Sequence, residues 1–396
     1  MRKFVKRNWK NCFCIVCALA VVLAFSAGCS FGKQSTLEKI EDKADKINDI
    51  IDTYYLNEVD EKNIEENVYK GIMKGLDDPY SVYFTEEEYQ KLQEETQGSY
   101  VGIGVSVRQD TDTGYIKVIE AFENGPAYSE GIRKDDYIVE VNGKDIKGQD
   151  LDNVVGEIRG EEGTTVDVTV MRTSDNQEYT YTVERRSVDV PTISYEMLEG
   201  DIGYIKISEF DVVTPQQYME ALEDLEEQGE KGLIVDVRDN PGGVLGSVVE
   251  MLQNMLPKGT IVYTEDKNGK GDTYTSDGTH EFKKPLVVLV NGNSASAAEI
   301  FTGAIKDYEI GTIVGTTTFG KGIVQKVYPL KDGSAVKLTV SKYFTPNGVC
   351  IHERGIEPDV TVEYDAEEQD GEEYSKEKDN QLQKAVSVIE ENVQSK

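Results

Sequence analysis

Apolar and polar positions alternate with different periods along the 396 residues, and the changes of period divide the chain. Between residues 35 and 97, Ile47, Ile50, Ile51 and Tyr54 fall on one face of a helix in otherwise polar sequence, and Asp77-Asp78-Pro79 breaks the pattern. These apolar faces are too few for a core of their own. The region is therefore expected to pack on the rest of the chain or on a second copy. From about residue 98 to 186 short β-rich runs take over: GIGVSV at 102–107, YIKVI at 115–119 and an alternating strand at 164–170, with turns at Asn124-Gly125-Pro126 and Asn142-Gly143. Beyond Pro191 strands and helices alternate. Strands are predicted at 203–207, 232–237, 285–290 and 312–314, and helices at 216–228, 247–255 and 297–307. Such alternation builds an open α/β layer, in which ligands gather at the carboxyl ends of the strands beside helix N-termini. The run at 365–379, acidic with Gly and Ser, has the composition of a linker. Leu382, Val386, Ile389 and Val393 then form a helical stripe expected to pack back on the body.

The start of the chain follows a different logic. Its first ten residues carry five Lys/Arg and no acid, residues 12–27 are uncharged and mostly apolar, and Ser26-Ala27-Gly28 precede Cys29. That is an export signal. Two fates stand open: cleavage with lipidation of Cys29, although Ser26 occupies a place where such sites usually carry Leu or another aliphatic, or retention as an anchor, since about 17 apolar residues can span a bilayer. Either fate puts the body on the extracytoplasmic face of a cell membrane. Cys12, Cys14, Cys17 and Cys29 lie in the leader and only Cys350 beyond it, so no internal disulfide and no cysteine-ligated metal is expected. Only His280 and His352 offer imidazole, and no cofactor is implied. The formal charge of −32 excludes a nucleic-acid partner, because phosphate binding draws on clustered Lys/Arg.

Chemistry concentrates at three glycine-rich turns. In the first, the strand at 286–290 runs into Asn291-Gly292-Asn293-Ser294-Ala295-Ser296 and a helix begins at once. A serine there is accessible and faces free helix N–H groups, as a nucleophile with an oxyanion site requires. G-x-S-x-G is nearly met, but Ser296 replaces its last glycine. Ser296 with Glu299 is also a capping-box pattern, which needs no chemistry. In the second, GTTTFGKG at 315–322, Lys321 can serve as a base if burial lowers its pKa. This segment falls short of a phosphate-binding loop, because Gly322 stands where Ser or Thr would hold magnesium and a strand follows. His352 with Asp359 remains a second source of a base, and His280 sits in a polar stretch. In the third, DVRDNPGG at 236–243, Gly242 and Gly243 can offer an oxyanion N–H, and Asp236 with Arg238 fits a structural pair.

Two resemblances rest on these residues. GIGVSV, GYIKVIEAFENGPAYSEGIRKDDYIVEVNGKDI and EIRGEEGTTVDVTVMR together resemble a PDZ domain. The likeness implies capture of a polypeptide's free C-terminus by the Gly-containing loop, with Val101, Gly102, Ile103 and Gly104 as contacts and Arg159 as a second one. Arg159 equally fits a surface ion pair with Glu157 or Glu161. The pieces DVRDNPGG, NGNSASAAEIF and GTTTFGKGIVQ resemble the carboxy-terminal processing peptidases, the tail-specific serine proteases with a PDZ domain, and the likeness extends to YFTPNGVCIHERGIEPDV. It implies Ser296 as nucleophile, Lys321 as general base, Gln325 as the residue that orients the amine, and Gly242 with the Ala297 amide as oxyanion hole. Ala298 departs from the pattern, standing where a further serine is common. The implied fold is multidomain α/β: a crotonase/Clp-like α/β catalytic core with an inserted or preceding PDZ-like β-rich domain and an N-terminal helical region. The boundaries are a leader at 1–29, helices at 30–97, the PDZ-like module at 98–186, the catalytic domain at 187–364 and an acidic linker with a helix at 365–396. Expected partners are polypeptides with free C-termini, a membrane through the leader or lipid, and a homo-oligomer through the terminal helices. Two other classes stand beside this one: a non-catalytic PDZ receptor, and crotonase-type acyl chemistry, for which no basic cluster near the turns would bind coenzyme A.

Overall fold

The computed structural model describes residues 36–365 and 374–394; the leader with Cys29 lies outside them. The chain divides into two units, residues 1–66 and 67–396. In the first, the helix Thr36–Tyr54 carries the apolar stripe read from the sequence, and its Ile47 and Ile50 are half exposed or more.

The second unit is organised by a six-stranded sheet in the order Ile193–Leu198, Ile202–Ile207, Gly232–Asp236, Leu286–Val290, Thr312–Gly315, Val360–Thr361. Its first pair is antiparallel and the others parallel. The strands GLIVD and LVVLV are buried at every position, as parallel strands covered on both faces must be. Their side chains split by the period of two. Leu233, Val235, Val288 and Val290 join the helices Thr214–Gln228, Leu245–Gln253 and Ala297–Asp307 in one core. Ile234, Val287 and Leu289 face the other way, against Leu382, Ala385 and Ile389 of the helix Asn380–Gln394. The stripe at the chain's end thus packs on the sheet.

The acidic run before that helix is only partly a linker. Asp379 is fully buried and pairs with Arg238 at 2.8 Å, while Arg238 also binds Asp236 at 2.6 Å. Composition gave no sign of this, because the arginine that neutralises Asp379 lies in a distant strand end.

A second, antiparallel sheet runs Val82–Phe84, Ala335–Phe344, Gly259–Asp266, Thr273–Ser276, with Ile323–Pro329 on the side of Ala335–Phe344. Val82–Phe84 corrects the reading of residues 30–97 as helical throughout. Three residues are too short to show a period, and the strand exists because Val82 pairs with Lys337.

Residues 105–184 form a sheet of their own in the order Val105–Gln109, Ile116–Ala121, Tyr137–Val141, Thr165–Arg172, Gln177–Glu184, closed by the helices Pro126–Glu130 and Leu151–Ile158 over a separate apolar core. The run GIGVSV does not continue as one strand. Gly104 takes φ +77° and lies so close to Gly125 that an added Cβ would stand 2.8 Å from that Cα. The preceding strand, Ser99–Gly102, instead pairs with Arg186–Asp189.

Candidate active site

The turn after Leu286–Val290 is fixed by its own polar side chains. Ser294 is fully buried, donates to the Val237 carbonyl at 2.7 Å and accepts the Asn291 N–H at 3.0 Å. Asn291 and Asn293 donate to Asp239 at 2.9 and 2.8 Å, and the Ala295 N–H donates to the Asn240 carbonyl at 2.9 Å. The strand-end loops at 237–243 and 291–296 are thereby clamped together. Of the two serines, the first is structural. The second, Ser296, holds φ +54° and ψ −114°, a conformation that costs on the order of 1–3 kcal/mol outside glycine. This bend sets its side chain at the N-terminus of the helix Ala297–Asp307, where Ser296 and Glu299 are placed as a capping box.

Glu299 explains how the bend persists. Its carboxylate is fully buried and accepts four hydrogen bonds: from Thr318 Oγ1 at 2.6 Å, Gly320 N at 2.7 Å, Lys321 N at 2.8 Å and Ser296 N at 3.0 Å. One acceptor-only group therefore holds the backbones of both Ser296 and Lys321. Tyr343, also buried, adds a second tie, its hydroxyl lying 2.9 Å from the Ser296 carbonyl and 2.6 Å from that of Lys321. The capping-box spacing points to Glu299, but three of its four donors, Thr318, Gly320 and Lys321, lie too far along the chain to be read from that spacing. Tyr343 left no signal at all.

Ser296, Ala297, Lys321 and Gln325 line one cavity of about 520 Å³, together with Lys337 and Tyr343. Burial holds the Lys321 amine below its ordinary range; the Lys337 charge adds to this, and Asp78 and Glu299 oppose it. The Lys321 ammonium stands over the Tyr80 ring, 4.6 Å from its centroid, while the Gln325 amide donates to the Ile323 carbonyl at 3.4 Å. Neither side chain is hydrogen-bonded to Ser296 in this arrangement. At the oxyanion side, an added Cβ on Gly242 would lie 2.6 Å from Ser296 Cβ and 2.9 Å from Ala297 N, so only glycine fits. The Gly242 N–H itself donates to Asn240 Oδ1 at 2.8 Å. The Ala297 and Gly243 N–H groups have no backbone acceptor among the described residues.

The histidine alternative is not brought together. Asp359 is engaged by Lys306 at 2.6 Å and by the Ile313 N–H at 2.8 Å, and His352 lines a different cavity with Asp78 and Phe319. His280 is exposed, and Cys350 is a free thiol. In the PDZ-like module, Val101 and Gly102 pair with Ser187 and Arg186; the Ile103 carbonyl accepts from Ala127 N and the Gly104 carbonyl from Phe122 N. Arg159 forms its ion pair with Glu94 at 2.7 Å, across the module boundary, and not with Glu157 or Glu161; its guanidinium also covers the Tyr100 ring.

Comparison with known proteins agrees with this layout. Residues 201–362 match Peptidase family S41, residues 90–171 the PDZ domain, and residues 27–88 the Activating protease CtpB N-terminal domain. The chain is 35% identical over 332 residues to the carboxy-terminal processing protease CtpB of Bacillus subtilis (strain 168), covering 83% of this chain and 69% of that relative. It is 35% identical over 367 residues to CtpA of the same organism, covering 91% and 78%. The solved structure of a putative S41 protease from Bacteroides fragilis NCTC 9343 has a TM-score of 0.50 at 16% identity over 81% of this chain and 90% of its own, a likeness of fold alone. The chain belongs to Peptidase family S41, as a carboxy-terminal processing serine-type peptidase with a PDZ domain.

Proposed function

We propose that Ser296 and Lys321 form the catalytic dyad of an endopeptidase that cleaves exported polypeptides near their C-termini. The observation that carries this reading is the shared support of the two residues: one buried carboxylate, Glu299, bonds both backbones, and both side chains line one cavity. The Lys321 amine, depressed by burial, leaves the Tyr80 ring in its neutral form and takes the Ser296 proton. The Ser296 oxygen then attacks the peptide carbonyl. The resulting oxyanion is stabilised by the Ala297 N–H at the helix N-terminus and by the glycine loop at 242–243. Collapse of the intermediate expels the amine product, which receives the proton from Lys321. Water, deprotonated by the same amine, hydrolyses the ester and restores Ser296. Gln325, on the same cavity wall, orients the amine once it turns from the Ile323 carbonyl.

The module at 98–186 selects substrates by their free C-terminus, added along the open edge of Val105–Gln109 with its carboxylate in the loop at 101–104. The leader delivers the body to the extracytoplasmic face of the membrane, held by lipid on Cys29 or by the apolar run itself.

Ser296→Ala and Lys321→Ala are each expected to abolish cleavage of an unfolded protein. Near-normal rates in Lys321→Ala together with loss in His352→Ala would overturn the dyad. Amidating a substrate's C-terminus is expected to slow cleavage, and equal rates for both forms would refute the selection step.

A further inference from the structure

The cavity that holds Ser296 has a second wall that the dyad does not use. It is built by Leu92, Glu95 and Thr96 from the helix Glu86–Gln97 and by Glu209 and Asp211 from the loop after Ile202–Ile207. Asp211 is only 7% exposed, yet its carboxylate has no hydrogen bond or ion pair among the described residues. Its backbone is firmly placed: the Asp211 N–H donates to Thr214 Oγ1 at 2.8 Å and the Val212 N–H to the Thr96 carbonyl at 3.2 Å. Gly98 packs against it so tightly that an added Cβ would stand 2.8 Å from Asp211 Cβ. The residue is held in place and lines the cavity without a partner of its own, where a donor from outside the chain can reach it.

The place of this wall identifies the donor. Phe210, between the two acids, donates its N–H to the Gly242 carbonyl at 2.8 Å and accepts the Val244 N–H at 2.6 Å, so the acids flank the residue that braces the glycine loop beside Ser296. Because the acids line the same cavity as Ser296, a side chain flanking a bond held at Ser296 can reach them. Acids in this place suit a cation, and among the described residues no group of three acidic, His or Cys side chains is arranged to hold a bare metal ion. A long side chain with several N–H donors fits a wall of separated carboxylates better.

We propose that Glu95, Glu209 and Asp211 form a specificity subsite that accepts a Lys or Arg side chain of the polypeptide substrate next to the scissile bond. This rests on Ser296 being the nucleophile of that cavity. Burial, and then the charges of Glu209 and Glu95, lift Asp211 to about 7. The titratable and charged groups lining the cavity with it are those two acids, Lys321, Lys337 and Tyr343. The subsite therefore gains charge as pH rises through neutrality, while a substrate lysine stays protonated throughout.

The test uses the full chain and peptide pairs that differ only in Lys or Met, with the residue moved through each position flanking the cleavage site. At one position Lys is expected to give about tenfold higher kcat/KM than Met at pH 8.5, equivalent to about 1.4 kcal/mol, and the preference is expected to shrink toward unity at pH 6. Taking the ratio cancels the titration of Lys321, which both peptides share. Asp211→Asn is expected to bring the ratio to within about twofold of unity, and Glu95→Gln, at an exposed helical position, to lower it partway should the first variant fold poorly. Equal cleavage of Lys and Met peptides at every position, with Ser296→Ala inactive, overturns the subsite and leaves the dyad standing. Cleavage that survives Ser296→Ala overturns the dyad and the subsite with it. A calcium-dependent stabilisation lost in Asp211→Asn, without any side-chain preference, would make the wall a metal site and refute the proposal.

Discussion

Glu299 is the residue on which the geometry of the site most depends, and Glu299→Gln perturbs it with the least change of shape. The carboxylate accepts from Thr318, Gly320, Lys321 and Ser296, two donors on each oxygen. A glutamine keeps one oxygen and turns an NH₂ toward the other two donors. Two charge-assisted hydrogen bonds are lost, at about 1.5–3 kcal/mol each, or about 3–6 kcal/mol in all. A domain of ordinary stability, about 5–15 kcal/mol, survives such a loss with a lower Tm. The strained Ser296 backbone then loses the acceptor of its N–H and relaxes. With the nucleophile displaced, kcat is expected to fall by about 10²–10³, the range seen when one oxyanion donor is removed. The assay is cleavage of an unfolded polypeptide well below the measured Tm, with kcat and KM separated. A second readout distinguishes chemistry from folding. Glu299's negative charge raises the Lys321 pKa, and the base works only when neutral, so the rate rises with pH through that pKa. Removing the charge moves this limb of the profile to lower pH. A folded Glu299→Gln protein with wild-type kcat, or with the limb unmoved, would refute the reasoning.

Gly242→Ala places a Cβ 2.6 Å from Ser296 Cβ at φ +108° and is expected to reduce kcat/KM by at least about 10²; cleavage at near wild-type rate would show that the loop can retreat. Tyr80→Leu removes the ring that holds the Lys321 ammonium, a contact worth about 0.5–2 kcal/mol. It is expected to raise kcat severalfold, and a fall in kcat would mean that Tyr80 orients the base rather than detaining it. Asp211, raised to about 7 from 3.8, binds its proton more tightly in the folded than in the unfolded chain, so it lowers stability increasingly as pH rises from about 4 to about 7. Asp211→Asn should accordingly raise Tm at pH 8 and leave it nearly unchanged at pH 4, and a uniform shift at both would argue against a titrating Asp211. Arg238→Met leaves Asp236 and Asp379 buried without their partner and is expected to cost about 3–5 kcal/mol in urea unfolding. A loss below about 1 kcal/mol would show that the final helix does not depend on this pair.

What was legible in the sequence was what local spacing determines. The all-apolar strands at 232–236 and 286–290, the helix from Ala297 and the three glycine turns could be read because burial on both faces, helical periodicity and close backbone approach each leave a local trace. Pairings between distant segments leave none. Val82–Phe84 is a strand only because Ala335–Phe344 offers it an edge, Asp379 is buried only because Arg238 reaches it, and Arg159 finds Glu94 rather than the acids beside it in sequence. Tyr343 and Thr318 carry residue types that occur anywhere, and their hydroxyls acquire meaning from the carbonyls and the carboxylate they meet.

The same division separates what is fixed in the site from what can move. The Lys321 backbone is held at both of its polar atoms, its N–H by Glu299 and its carbonyl by Tyr343, whereas its amine is held by one aromatic face. Gln325 is likewise anchored in a strand, at a register shift between Val324 and Gln325, with its side chain on a long bond to the Ile323 carbonyl. In the proposed mechanism the Lys321 amine therefore gives up one aromatic contact, worth about 0.5–2 kcal/mol, by rotation about side-chain bonds. The oxyanion side differs, because the Gly242 N–H is committed to Asn240, and freeing it means breaking a buried hydrogen bond within the loop at 237–243, whose Asn240 also donates to the Ile207 carbonyl. Occupation of that position by a substrate oxyanion would have to displace Asn240, whereas the Ala297 and Gly243 N–H groups face no such competition from the backbone. The Ser296 and Lys321 backbones are thus fixed by Glu299 and Tyr343 while the Lys321 amine and the Gln325 amide are each held by a single contact, so in the proposed mechanism control over this site acts on two side chains before it acts on the fold.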